Sequence, residues 1–310
     1  MKKLREKLWC AVVFALFFAL LPCCAFAEAE ESGGWYWLTS DAKYSKYFAP
    51  QDVTVVKSLN VAGLSRAVPT VIHGWVKTGF SYEGAQETIA NYGIKDILPN
   101  PAALSYSLAL VEVNPQNRTL RYLEEDFYDS KGNVIWSNHT PRSEKEMNSQ
   151  QFDETFYAAI VDVVFGMDEL ARLTSPARWI ELWKARLPGG GEESAIADTS
   201  TMRIKGEQLF YWEWVTKKDA QGNTEEVEFR KRVLNVPMGT VSTKDGKTWT
   251  AKAGWQSLEE TDLTFHGIPA NSKEYPGLLR LRDYTAENLA WLYRASLEPE
   301  GERRILRDAD

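Results

Sequence analysis

Glu124, Glu125 and Asp126 form the densest group of side chains able to do chemistry, and three adjacent carboxyls suggest acid/base work or cation binding. Consecutive side chains on a strand point to opposite faces, so these three do not converge as a catalytic pair, and a solvated strand edge is the expectation. Ser40-Asp41-Ala42-Lys43 and Lys77-Thr78-Gly79 reproduce the S-x-x-K and K-T-G pieces of serine acyl-enzyme chemistry. That chemistry needs the serine at the start of a buried helix and a large helical region between the motifs. Here fewer than 40 residues separate them and Ser40 sits in a turn, so the match is read as chance. His73, His139 and His266 fall in different elements without H-x-x-x-H spacing. No catalytic residue, cofactor or metal site is therefore assigned.

Aromatic residues are the one unusual enrichment, with 12 Trp, 13 Tyr and 13 Phe. Trp35 and Trp37 share one strand face, as do Phe210, Trp212 and Trp214, and such ladders can stack on sugar rings or receive a partner's side chains. The four tryptophans are the candidate binding aromatics. A sheet without disulfides must also bury its large residues somewhere, and Tyr211, Glu213 and Val215 read as the poorer core face, so core is the expectation for Trp212 and Trp214.

The elements that would position these residues are clearest between Leu104 and Asp162. Ser105 to Val113 alternates Tyr106, Leu108 and Leu110 with Ser107, Ala109, Val111 and Val113, so neither face is polar and a central strand is predicted. Asn114-Pro115-Gln116-Asn117 and Ser130-Lys131-Gly132-Asn133 turn the chain into two further strands. Between Tyr122 and Leu123 the alternation slips, which predicts a β-bulge. A helix follows, with Asn148 and Gln151 as an Asn/Gln capping box and Phe152, Phe156, Ile160 and Val164 as its apolar stripe. It is expected on the small-residue face of Ser105 to Val113. Tyr82 to Tyr92 reads as a short helix weakened by Gly84.

Lys2, Lys3, Arg5 and Lys7 precede an apolar run from Leu8 to Leu21 and then Ala25-Phe26-Ala27, the pattern of a signal peptide over 1–27. A retained anchor and a lipoprotein at Cys23-Cys24 are the rivals. Cleavage removes four Lys/Arg and one Glu, leaving 32 basic residues against 42 acidic and a net charge of −10. Such a balance argues against a nucleic-acid partner. Cys10, Cys23 and Cys24 all lie in the removed segment, so no disulfide or thiolate chemistry remains. No second long apolar segment follows, hence no transmembrane helix in the mature chain is expected.

Beyond Gly166 the pattern predicts Met167 to Leu173 as helix, Ser175-Pro176 starting another that carries Trp179, Ile180 and Trp183, and then a Gly-rich linker from Pro188. A second β-rich block follows, with a turn at 219–223, a hairpin at Asp245-Gly246 and a helix from about Ala286 to Leu297 carrying Leu289, Leu292 and Tyr293. Trp75-Val76 and Trp214-Val215, Trp136-Ser137 and Trp255-Gln256-Ser257, and Asn148-Ser149 and Asn271-Ser272 recur in the same order. The second block thus reads as a degenerate repeat whose helix start Pro276-Gly277 breaks. The organisation expected is α+β and β-rich, two tandem antiparallel-sheet domains each closed by a C-terminal helix: 28–166, a connector and linker over 167–198, and 199–310.

Trp37 with Tyr44 to Phe48, VIHGWVK at Val71 to Lys77, RTLRYLEEDFYD at Arg118 to Asp129, GNVIW at Gly132 to Trp136 and Asn148-Ser149, in this order, resemble the exported domain of the surface-adhesin protein E type. The resemblance covers roughly residues 35–165. It implies a strongly bent antiparallel sheet with a helix on its concave face, and a role in binding host extracellular-matrix proteins. The chain lacks the terminal cysteine such domains often carry after the helix, and it adds a second block. Together these readings point to an exported bacterial envelope or surface protein, in the periplasm or at the cell surface, with a non-catalytic binding role toward a protein or glycan partner. An envelope hydrolase using carboxylates and a periplasmic structural protein are the alternatives. Processing is expected after Ala27, leaving Glu28 first. The intact mass of the exported chain tests this, and a lipid adduct on a cysteine would contradict it.

Overall fold

The computed structural model of the chain describes residues 34–60, 67–258 and 264–296, so the segment carrying Ala25 and Ala27 lies outside the described residues. The protein is β-rich and built on two antiparallel sheets. In the first, β1 (Tyr36–Ser40), β2 (Tyr44–Phe48), β4 (Val68–Phe80), β5 (Tyr106–Asn114), β6 (Thr119–Tyr128) and β7 (Val134–Asn138) lie side by side in that order. β3 (Thr54–Leu59) pairs with β4, and β8 (Lys145–Glu146) with the start of β6. The second runs β9 (Trp179–Arg186), β10 (Glu192–Lys205), β11 (Gln208–Lys218), β12 (Thr224–Asn235), β13 (Thr240–Thr250) and β14 (Gly254–Ser257), with β15 (His266–Gly267) paired to the start of β13.

The two strand orders correspond one to one, and so do local details. Asn114 and Asn235 each accept from the backbone three residues on, and Arg118 and Gly239, four on, have positive φ. In the first sheet the register jumps so that Leu110 faces Glu124 while Val111 faces Tyr122, leaving Leu123 as the bulged residue. In the second, Lys231 faces Asp245 while Arg232 faces Thr243, leaving Lys244. Each is the fifth residue of its strand. Counting from the bulges, Trp75 matches Trp212, not Trp214 as the sequence order suggests.

The small-residue face of β5 carries the helix as its composition predicts. Ala109, Val111 and Val113 share one buried cluster with Phe156, Tyr157, Ile160 and Val161 of α2 (Glu154–Phe165). The helix starts later than the capping box predicts. Asn148 accepts instead from the amide of Gln150, so it closes a turn, and Phe152 is left exposed ahead of the helix. Asp153 stands at the cap position, but its carboxylate is taken by the Tyr122 hydroxyl at 2.8 Å.

A helix α1 (Tyr82–Tyr92) covers the other end of the same face, where Ala85 and Ile89 pack with Phe127. The Ser81 side chain accepts from the Gly84 amide at its start. Gly84 is required there: a Cβ would lie 2.2 Å from the Lys43 carbonyl oxygen.

Residues 175–198 depart from the sequence reading. The helix α3 (Glu169–Thr174) ends at Ser175, whose hydroxyl caps one 3₁₀ turn, and Trp179 onward is strand. Gly189 and Gly190, both at positive φ, belong to a tight hairpin between β9 and β10, so the expected linker is two paired strands. Asp245-Gly246 is no hairpin either. Gly246 continues β13 where a Cβ would meet the Phe229 carbonyl oxygen at 2.8 Å. Pro276 does not break a helix but begins α4 (Tyr275–Glu287), because a missing N–H is harmless in a first turn. α5 (Leu289–Ser296) follows, and its Leu289 and Leu292 are buried as expected, with Leu278 and Leu281 of α4, against Leu209, Tyr211 and Leu234.

Leu209, Tyr211 and Val215 are thus the face of β11 that packs on the helices, not the poorer core face expected, while Trp212 is buried as expected but on the other face and Trp214 only half-buried. Glu213 shares that face because Arg230 pairs with it at 2.5 Å and Arg232 at 3.4 Å, which makes its burial tolerable. The tryptophans face the first sheet instead. The indole N–H of Trp212 donates to Glu146 and that of Trp214 to Ser149.

The junction between the sheets is ionic and buried. Glu169 receives Arg118 of the β5–β6 turn at 3.1 Å and Arg203 of β10 at 2.6 Å. Beside them Arg178 binds both Asp198, at 2.6 and 2.9 Å, and Glu154. Removing one member of such a set leaves its partners charged and out of water. Glu169→Gln should therefore lower stability by about 3–5 kcal/mol in urea unfolding. Glu181→Gln, which removes only an exposed pair with Arg280, should leave the transition in place. Equal transitions for the two variants would show that the junction does not depend on Glu169.

Candidate functional site

Between α1 and the start of α2 lies a cleft of about 440 Å³, floored by β6 and walled by Asn91 and Tyr92 of α1 on one side and Phe152 and Asp153 on the other. Its chemistry originates in the bulge. Leu120 and Tyr122 point to the covered face of the sheet, and the extra residue at Leu123 resets the alternation so that Glu125 and Phe127 point there too. Glu125 is consequently buried at 6% exposure, not on a solvated edge, while Glu124 and Asp126 lie on the opposite face beside His139.

Glu125 meets a dense set of partners. The Arg142 guanidinium donates to its Oε2 at 2.5 Å and the Tyr92 hydroxyl donates to the same oxygen. Arg142 is itself held between two rings, 4.5 Å from the centre of Tyr92 and 4.6 Å from that of Tyr122. Tyr122 in turn donates to Asp153 Oδ1 at 2.8 Å. Burial pushes Glu125 up to about 8, against the pull of the Ser107 hydroxyl, and the charge of Asp153 adds to the rise. Burial also raises Asp153, opposed by its bond from Tyr122 and by Lys46. Lys46 of β2 is brought down to about 8 by burial, donates to the Phe152 carbonyl and lies 3.3 Å from the Phe152 ring centre. The arrangement can hold a polar group between two carboxyls that burial makes harder to ionise, with aromatic rings on its flanks.

The residues singled out from sequence lie elsewhere. Trp37 is exposed at 56% with its indole N–H on Ser40, and Trp35 is half-buried just before β1. Trp212 is buried, stacked 4.4 Å from Phe229, and Trp214 is half-buried 4.5 Å from the same ring. Both are packed into the junction, so they do not form an exposed ladder on the outer surface. Lys43 pairs with Glu87 and not with Ser40, which hydrogen-bonds Ser45. Among the described residues no group of His, Cys, Asp and Glu has the arrangement of a metal site, and no helix is long and apolar enough to cross a membrane. Sequence reasoning missed Glu125, Arg142 and Asp153. The signal for Glu125 was present: a bulge after Tyr122, followed through to the next residues, turns Glu125 inward.

No protein-family model matches the chain, and no curated protein matches it.

A carboxyl raised from its unfolded value binds its proton more readily in the folded state, so the fold gains from Glu125 at low pH and loses that gain as pH rises from about 4.5 to about 8. Chemical unfolding across that window should show a decline that Glu125→Gln flattens by an amount on the order of 1 kcal/mol per pH unit. An unchanged slope in the variant would mean that Glu125 is ionised well below neutrality.

Proposed function

We propose that the chain is an exported protein of the bacterial envelope or surface that binds a partner without converting it, and that the cleft between α1 and α2 receives the ligand. The observation that supports this most is unequal decoration of two like sheets. Where the second sheet passes from β11 to β12 through the short turn at Asp219–Asn223, the first inserts α1 between β4 and β5. Where β13 has Gly246, the matching position of β6 has Glu125. The sheets are read as tandem copies of one unit, each closed by the helices that follow it, and the cleft lined by Glu125 belongs to the first copy. Its aromatic flanks and hydrogen-bonding floor suit an uncharged polar ring such as a sugar residue of a glycan, with C–H faces for Tyr92 and Phe152 and hydroxyls for Asn91, Arg142 and Asp153. The resemblance of residues 35–165 to the surface-adhesin protein E type agrees with a binding role.

A hydrolase is the second reading. It is favoured by Glu125 and Asp153 lining one cleft with both carboxyls raised, the former close to the value a general acid needs at neutral pH. Against it, the oxygens described above are already engaged by Tyr92, Arg142 and Tyr122.

Titrating the chain with neutral disaccharides while following heat and product release separates these readings. Saturable binding that Arg142→Ala weakens about tenfold, with the sugar recovered intact, is the expected outcome. Product release that stops in Glu125→Gln would establish the hydrolase, and neither binding nor release would leave a structural role.

A further inference from the structure

A second cavity, of about 270 Å³, opens at the junction of the two sheets. Arg118 enters its wall from the β5–β6 turn and Glu146 from β8, while the second sheet supplies Arg203 and Lys205 of β10, Phe210 and Trp212 of β11, and Lys231 of β12. These residues of the second sheet lie on the face turned away from α4 and α5, since their neighbours Met202, Ile204, Leu209 and Tyr211 form the core with those helices.

Among the described residues the charges do not balance. Counting the wall and the ion pairs behind it, Arg118, Arg178, Arg203, Lys205 and Lys231 face Glu146, Glu154, Glu169 and Asp198, five cations to four carboxylates. Lys205 is the cation of that set with no carboxylate partner among the described residues, and its ammonium lies 5.9 Å from the centre of the Phe210 ring. Arg203, buried and directly across the strands from Phe210, leaves its Nε buried without a partner among the described residues. An excess positive charge beside an unmet donor in a partly enclosed, aromatic-walled space selects for one negative charge.

The chain itself displays the recognition chemistry. The Glu146 carboxylate is held against the same wall by the Lys231 ammonium at 2.7 Å and by the Trp212 indole N–H at 3.1 Å. We propose that this junction cavity is a binding site for a small organic carboxylate, its charge at Lys205 and Arg203 and its apolar body against Phe210 and Trp212. One excess charge matches a monoanion and leaves a phosphate dianion overcharged. Because both sheets contribute to the wall, an occupant also ties them together, and its binding raises the unfolding temperature of the whole chain.

Benzoate, benzyl alcohol and inorganic phosphate are the probes, titrated into the full chain at constant ionic strength while Trp fluorescence and unfolding temperature are read. Lys205 is exposed and has no carboxylate partner among the described residues, so Lys205→Ala keeps the fold, and Lys218→Ala, on the same sheet but away from the cavity, controls for general charge. The expected result is saturable fluorescence change and stabilisation by benzoate, about tenfold weaker in Lys205→Ala and unaltered in Lys218→Ala, with benzyl alcohol and phosphate each at least about tenfold weaker than benzoate. Absence of saturation with benzoate, equal affinity in Lys205→Ala, or phosphate or benzyl alcohol binding as tightly as benzoate would each overturn the proposal.

Discussion

One carboxylate shared by two guanidinium groups sets the arrangement of this protein. Glu169 accepts from Arg118 of the first sheet and Arg203 of the second while itself belonging to the short helix between them, so three parts of the chain meet at a single charge. Such pairs contribute less net stability than apolar packing of equal volume, but they tolerate few geometries, because any shift leaves a charge out of water and unpaired. Arg118 shows how firmly the contact is enforced. It holds a left-handed backbone at φ 55°, where the matching turn of the second sheet has Gly239, and an L side chain accepts that conformation only when its surroundings favour it.

The same network reaches the cleft through neighbouring residues. Glu154, in the first turn of α2, lies in the junction with Arg178, and burial pushes it up to about 6. Asp153, one residue earlier, faces the cleft and accepts from Tyr122. The start of this helix therefore sits between two electrostatic environments. It cannot slide to suit one of them without disturbing the other, which helps to fix the cleft wall relative to Glu125.

What could be read from sequence follows the range of the interactions involved. The central strand, the bulge after Tyr122 and the helix from Tyr82 to Tyr92 are written in local alternation, turn chemistry and caps, and they occur as read. Ser175-Pro176 and Pro188-Gly189-Gly190 carry local signals for a helix start and a linker. What makes strands of their surroundings is pairing between β9 and β10 and the fork of Arg178 on Asp198, contacts that no short window contains. Glu213 gave β11 the look of a polar face because its arginine partners lie on the next strand. Glu125 is legible only at one remove: the slip after Tyr122 is local, but it turns the carboxyl inward only when the reset alternation is carried on to the residues beyond it.

The paired bulges have a bearing on how such a chain can diversify. An inserted residue at the same place in both sheets leaves one position, two residues beyond it, at a spot where the strand is already irregular. In one sheet that position holds glycine and lets two backbones touch; in the other it holds a carboxyl and opens a polar chamber. The irregularity behaves as a socket. The frame around it is held by ladder hydrogen bonds on either side, so its occupant can change from nothing to an acid while the register of the sheet remains the same.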